Sequence, residues 1–263
     1  GTVRSLALGS DRIFVGGDFL KLGGHPRHYL GSVELSTGNV AAWNPDAGNR
    51  VSTLAVAGET IYAGGAFTQM GGVARNRVAA LDGTTGEATS WNPNASSDVL
   101  AIGVAGNTIY IGGYFVSVGG QDRLNLAAVD PATGLASAWD PKANGRVNTL
   151  VVKGNVVYAG GAFTRVGTEE RRNLAAIDTR NGLATDWELS ADKEVKALAV
   201  AGNALYVGGF FTELFGEARN RIGALDTMKK STLAWNPNAD RPVLALAVAG
   251  NLVVAVSGGF DAV

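Results

Sequence analysis

The chain has 263 residues, of which 17 % are charged, with 22 Lys and Arg against 23 Asp and Glu and a formal net charge of −1. That balance leaves no electrostatic footprint for nucleic acid or for an anionic membrane surface, and no apolar run is long enough to span a bilayer. Cysteine is absent, which excludes disulfides, cysteine-ligated zinc, iron–sulfur clusters and thiol catalysis.

Taken in chain order, residues 1–48 begin a unit that the rest of the chain repeats. The second unit, 49–96, shows its parts most plainly. "VSTLAVAG" (51–58) alternates large and small residues, "TIYAGGAF" (60–67) is a β-branched and aromatic run, and "RVAALD" (77–82) and "EATSW" (87–91) follow on either side of "GTTG". Gly, Asn and Asp punctuate the gaps, and no window sustains a period of 3.6. The predicted elements are therefore four short antiparallel strands, A to D. The turn between A and B is Gly58–Glu59 here and Gly-Asn at 106–107, 154–155, 202–203 and 250–251; Gly-Asn suits a two-residue hairpin that needs a positive φ. Units 97–144, 145–192 and 193–240 repeat the pattern, and 241–263 supplies strands A and B of a sixth, with Gly258–Gly259 two places late against the period.

The period is 48 residues without an insertion. It links Trp43, Trp91, Trp139, Trp187 and Trp235; Phe19, Phe67, Phe115, Phe163 and Phe211; Arg27, Arg75, Arg123, Arg171 and Arg219; and a Gly pair at 16–17, 64–65, 112–113, 160–161 and 208–209. Four-stranded units of this length are the signature of β-propeller blades. A hydrophobic strand ending in Gly-Gly, then a loop, a strand and a Trp, resembles the kelch repeat, without its usual tyrosine before the Trp. "ALDGTTGEATSW" (80–91) resembles the tryptophan-docking phrase of PQQ-type quinoprotein propellers. Similar tandem units are common in exported bacterial proteins, so the resemblance implies a secreted or cell-surface setting. The expected fold is an all-β propeller in a single domain, with five complete blades, a partial sixth (241–263) and strand A innermost. A piece of a longer array is the alternative. The incomplete blade leaves an edge through which copies are expected to associate.

The repeated columns read as scaffold. Asp82, with Thr85 and Gly86, is a turn in which the carboxylate accepts backbone N–H groups, rather than a metal ligand. The tryptophans pack between blades rather than forming a ring of sugar platforms, and the Gly pairs allow backbone to approach backbone. Each arginine is expected to bind carbonyls or a carboxylate at a blade junction; a ring of five ligand-binding arginines is the rival reading. Departures from symmetry are the better functional pointers. After the Gly pairs stand Asp18, Tyr114 and Phe210, and the B–C loops, about ten residues long, carry His25, His28, Tyr29, Gln121 and Asp122. These eight are the candidate ligand-binding residues, on the face carrying the B–C and D–A connections. With no Cys and both histidines in one loop, a catalytic triad or a multi-histidine metal site lacks its parts. No catalytic residue, metal or cofactor is expected. The expected function is a non-catalytic, extracellular or cell-surface recognition module or scaffold for a glycan or protein partner. The alternative, implied by the quinoprotein resemblance, is an oxidoreductase or other propeller enzyme.

Overall fold

The structure is a computed structural model that describes residues 1–257; Gly258–Gly259 lie outside the described residues. These residues form strands and turns with no helix among them, so none contains a helix long and apolar enough to cross a membrane. Contacts divide the chain into two compact lobes, Gly1–Ala138 and the part from Trp139 onward, the cut falling inside the third repeat. Both lobes use the same module.

In the second repeat, strand A (Val51–Ala57) pairs antiparallel with strand B (Thr60–Gly65), and B pairs with strand C (Val78–Asp82). Gly58 takes φ 59° in the turn between A and B, as the hairpin reading requires. The sheet order A–B–C recurs in the other complete repeats, and Val243–Ala249 with Leu252–Ser257 makes a two-stranded sheet in the sixth. Leu244, Leu252, Val254 and Val256 of that hairpin remain exposed, whereas Val243 is buried.

Two expectations need correction. Strand D is not a full strand in the first four repeats. It touches strand C through single bridges at Val33–Val40, Leu81–Ala88, Val129–Ala136 and Ile177–Ala184. In the second repeat the Arg75 guanidinium takes the Thr89 carbonyl, which a longer ladder would use. In the fifth repeat the corresponding bond, Arg219 to Leu233, is longer at 3.1 Å, and two residues, Ser231–Thr232, do pair with strand C. The B–C connection, expected to be a loop, holds a ribbon: Gln69–Met70 against Val73–Ala74 in the second repeat, with counterparts in the other four complete ones. Its inward residue becomes core, as Met70, Val118, Val166 and Leu214 are all buried. Ala47, Ala143 and Ala191, from the D–A connection of the preceding repeat, bridge to Met70, Val166 and Leu214. The B–C and D–A connections therefore meet, as the strand directions demand.

The Gly pairs act through close approach. A Cβ on Gly64 would lie 2.6 Å from Val99 Cγ1, at the start of the next strand A, and 2.8 Å from Thr53. Gly16 stands the same way to Val51 at 2.7 Å, and Gly208 to Val243 at 2.6 Å. A Cβ on the second glycine of the pair, Gly65, would run into the carbonyl of Arg50, just before its own strand A, next to where the A–B register slips between Val51 and Thr53. Gly64→Ala should destabilise the protein by roughly 1–3 kcal/mol, the range for overpacking a filled core. In a denaturation cycle with Val99→Ala, the two changes should couple by about 1 kcal/mol or more; strict additivity would show that this contact does not set the spacing of the sheets.

Candidate functional site

The repeated side chains are engaged in internal bonds. Each column arginine donates to two carbonyls of its own repeat, where a blade junction was expected. Arg75 donates to the Ala74 carbonyl at 2.7 Å and to that of Thr89 at 2.5 Å. Arg27 does so to Pro26 and Ala41, Arg123 to Asp122 and Ser137, Arg171 to Glu170 and Thr185, and Arg219 to Ala218 and Leu233. The guanidinium fork thereby ties the B–C ribbon to the D segment.

The tryptophans do cross between repeats. Trp43 Nε1 donates to the Asp82 carbonyl at 3.0 Å, Trp91 to Asp130 at 2.9 Å and Trp139 to Asp178 at 2.8 Å. Trp43, Trp91, Trp187 and Trp235 each meet a ring of their own strand B edge-on, Phe14, Tyr62, Tyr158 and Tyr206 respectively. Gly86 lies under Trp43, where a Cβ would stand 3.3 Å from Nε1. The turn carboxylates behave as expected. Asp82 Oδ1 accepts the backbone N–H groups of Thr84 and Thr85 at 2.8 and 2.7 Å. These bonds, that from Thr85 first, hold its carboxyl below the ordinary value. At Asp178 the Arg180 side chain and backbone pull it down to about 2.

The candidate ligand residues have divided roles. Tyr29 is half-buried against the Phe14–Trp43 cluster and, at φ 62°, belongs to a left-handed column with Arg77, Asn125, Asn173 and Arg221. Each member donates its N–H to the column Phe carbonyl and accepts from the second glycine of the pair, as Arg77 does with Phe67 and Gly65. His28 Nδ1 lies 2.6 Å from Asp46 Oδ1, in the slot where Asn76 meets Asn94 and Asn220 meets Asn238. His25 sits exposed on the first ribbon, so His25, Arg27 and His28 do not converge. Gln121 and Asp122 form the outer strand of the third ribbon, both exposed. Asp18 pairs with Arg4 at 2.5 Å.

Tyr114 and Phe210 stand out, with 64 % and 38 % of their surface exposed. Beside each is a charged pair formed by neighbouring members of one column. In the first lobe Arg50 meets Asp98 at 2.7 Å, Arg77 meets the same carboxylate at 3.2 Å, and the Tyr114 N–H donates to the Asp98 carbonyl. In the second lobe Glu194 receives Arg146 at 2.5 Å, Lys196 at 2.9 Å and Asn148 at 3.0 Å, and Lys196 Nζ stands 5.8 Å from the Phe210 ring centroid. Burial pushes the Glu194 carboxyl up, but the bonds from Lys196, Arg146 and Asn148 outweigh it and hold it below the ordinary value. The signal in the sequence was Arg50, Asp98, Arg146 and Glu194 at the repeat spacing with alternating charge.

Surface hollows are also present among the described residues. One of about 240 Å³ lies among the A–B and C–D turns of the first two repeats, lined by Asp11, Arg12, Gly58, Glu59, Gly83 and Thr84 among others, so the turn face is not featureless. Another, about 540 Å³, borders Trp187 and Phe215. A PQQ site with calcium would need a convergent set of oxygen donors. Among the described residues no three His, Cys, Asp or Glu side chains gather in that way, and the repeated Asp carboxylates are taken up by their turns. The residues present do not fit that cofactor.

The carboxylates with lowered folded values stabilise the fold above their unfolded values, near 4. That contribution is lost as the pH falls through the folded values, about 2 for Asp178. The thermal midpoint should drop between about pH 4 and pH 2, and less steeply in Asp178→Asn; an unchanged slope in that variant would remove Asp178 from the account.

Comparison with known proteins bears on this arrangement. Solved structures of similar shape include the WD40 β-propeller domain of Doa1, with TM-score 0.68, 10 % identity and coverage of 98 % of this chain and 76 % of that one. A chain of a mitotic checkpoint complex aligns with TM-score 0.67, 13 % identity and coverage of 97 % and 70 %. A computationally designed protein, Ika8, aligns with TM-score 0.64, 16 % identity and coverage of 98 % and 68 %. At these identities the likeness shows the fold, a β-propeller. No curated protein sequence matches the chain. A family profile of PQQ-type repeats, described as outer membrane protein assembly factor BamB, matches residues 5–231. Kelch membership is not what the match shows. With the tryptophan-docking phrase in place and most of its length matched, the chain belongs to the PQQ-type propeller family described as outer membrane protein assembly factor BamB.

Proposed function

We propose that the protein is a non-catalytic recognition and scaffold module of the cell envelope or cell exterior, binding a protein or glycan partner on the face of its B–C ribbons and D–A connections. The observation that carries this reading is the division of labour among side chains. The column arginines and turn aspartates make bonds within the scaffold, whereas Tyr114 and Phe210 project exposed rings beside charged pairs, a mixture suited to recognition. The family description names a factor for outer membrane protein assembly, which favours an envelope location and a protein partner. Self-association through the exposed apolar hairpin of the sixth repeat belongs to the same proposal. The second reading, a quinoprotein-like oxidoreductase, rests on the Asp-x-x-Thr-Gly…Trp phrase, whose members here build turns and receive an indole.

A glycan and protein-partner array identifies a ligand, and single variants then test the face. Tyr114→Ala or Phe210→Ala should weaken that ligand by about tenfold or more, as loss of an aromatic anchor does, with the thermal midpoint essentially unchanged. Parent-like affinity in both, with a loss when the Gly106–Asn107 turn is altered instead, would place the ligand on the other face. Titration with PQQ and calcium should show no binding at about micromolar concentration; saturable binding there would support the oxidoreductase reading.

A further inference from the structure

Between the fourth and fifth repeats the tryptophan docking is broken. The turn position that is Gly86 under Trp43 and Gly182 under Trp139 is Lys230 in the fifth repeat, which keeps φ 53° despite its side chain. In the docked junction before it, a Cβ on Gly182 would stand 3.1 Å from Asp140 N and 3.4 Å from Trp139 Cδ1; Lys230 carries that Cβ. Trp187 lies buried with its indole N–H unpaired, although its counterparts Trp43, Trp91 and Trp139 donate to a turn carbonyl.

A second departure stands beside it. The ribbon-turn glycine at 23, 71, 119 and 167 becomes Phe215, held at φ 48° with its ring 6.2 Å from that of Trp187 and edge-on to it. Between these changes opens the pocket of about 540 Å³, lined by Asp186, Trp187, Glu188, Ser190, Phe215 and Lys230 among others. Lys230 Nζ meets Asp186 Oδ1 at its border, 2.5 Å away. Two bulky residues in a backbone region that favours glycine, and a buried donor without an acceptor, oppose stability. They sit together where the repeat departs from its own pattern, unlike the left-handed column before strand C, which recurs in every complete repeat.

We infer that this pocket binds a short neutral saccharide. A sugar oxygen accepts from the Trp187 indole N–H, hydroxyls donate to Asp186 and Glu188, and an apolar C–H face lies on the Phe215 ring. The indole nitrogen is covered as the ring stands, so uptake requires Trp187 to turn toward the hollow that it lines together with Phe215 and Lys230. The two carboxylates beside one lysine disfavour an anionic ligand. The pocket lies where the turn of the fifth B–C ribbon, with Phe215, meets the D–A connection of the fourth repeat, with Ser190, and so deepens the proposed loop-face reading; Tyr114 and Phe210 do not line it, so the variants that test the two ligands are different.

The test is nitrogen-15 NMR of the intact chain during titration with cellobiose, maltose and chitobiose to about 10 mM, a range that captures weak sugar affinities. The Trp187 indole N–H is assigned by its absence in Trp187→Phe. At least one sugar should move that resonance saturably. Lys230→Gly, which restores the docking glycine, should abolish the shift and raise the thermal midpoint. Phe215→Gly should weaken binding by about tenfold or more, and decides the matter alone if Lys230→Gly does not fold. No saturable shift with any sugar, parent-like affinity in either folded variant, or a shift with a phenylalanine tripeptide and none with sugars would overturn the assignment.

Discussion

The fold depends on one bond made repeatedly: the indole N–H at the end of a D segment donating to the carbonyl of the turn Asp in the next repeat, at 2.8–3.0 Å. A three-stranded sheet cannot bury both faces by itself. The tryptophan supplies a large apolar surface and one polar group that must be paired when buried, so the bond both adds area and fixes the neighbour's register. The turn can receive it because its own carboxylate has already satisfied the backbone N–H groups above, and because glycine at the contact leaves room for the ring.

A second set of restraints prepares each repeat to offer that tryptophan. The column arginine ties ribbon to D segment within the repeat. The left-handed residue before strand C returns the chain beside strand B through paired backbone bonds. The end of the D–A connection is caught in turn by the following repeat: Ser96 Oγ accepts the N–H groups of Val116 and Ser117, Asn144 Oδ1 those of Thr164 and Arg165, and Asp192 Oδ1 those of Thr212 and Glu213. Burial pushes the Asp192 carboxyl up, and its bonds with Thr212 and Glu213 more than reverse that. These restraints convert a ten-residue connection into a rigid surface, and rigid surfaces are where recognition is placed at low entropic cost.

Function then has to reside where the scaffold's demands are relaxed. Residues 18, 66, 114, 162 and 210 follow the glycine pair and make no column, so Tyr114 and Phe210 are free to differ from their counterparts Ala66 and Ala162. The Trp187 junction is a different case, since there the scaffold's own bond is given up. The first kind of site costs the fold nothing, whereas the second weakens a junction, which is why the fourth and fifth repeats combine a pocket with strained backbone.

The sequence by itself determined the period, the hairpin turns, the glycine close approaches and the scaffold role of the Asp, Trp and Arg columns, because in each the same side chain performs the same task every 48 residues. It could not show that the arginines clamp within a repeat, since the reach from Arg75 to Thr89 depends on how the ribbon folds back. Nor could it show the left-handed column. Tyr29, Arg77, Asn125, Asn173 and Arg221 share a backbone conformation and not a side chain, and so leave no trace in a comparison of letters. The change from glycine to Lys230 is legible in the sequence as a departure from the repeat, but its consequence is not. Only tertiary structure brings residue 230 under a tryptophan 43 positions earlier in the chain and leaves that ring's N–H unpaired, because the contact is made across the stacking of two sheets, where sequence distance carries no information about spatial distance.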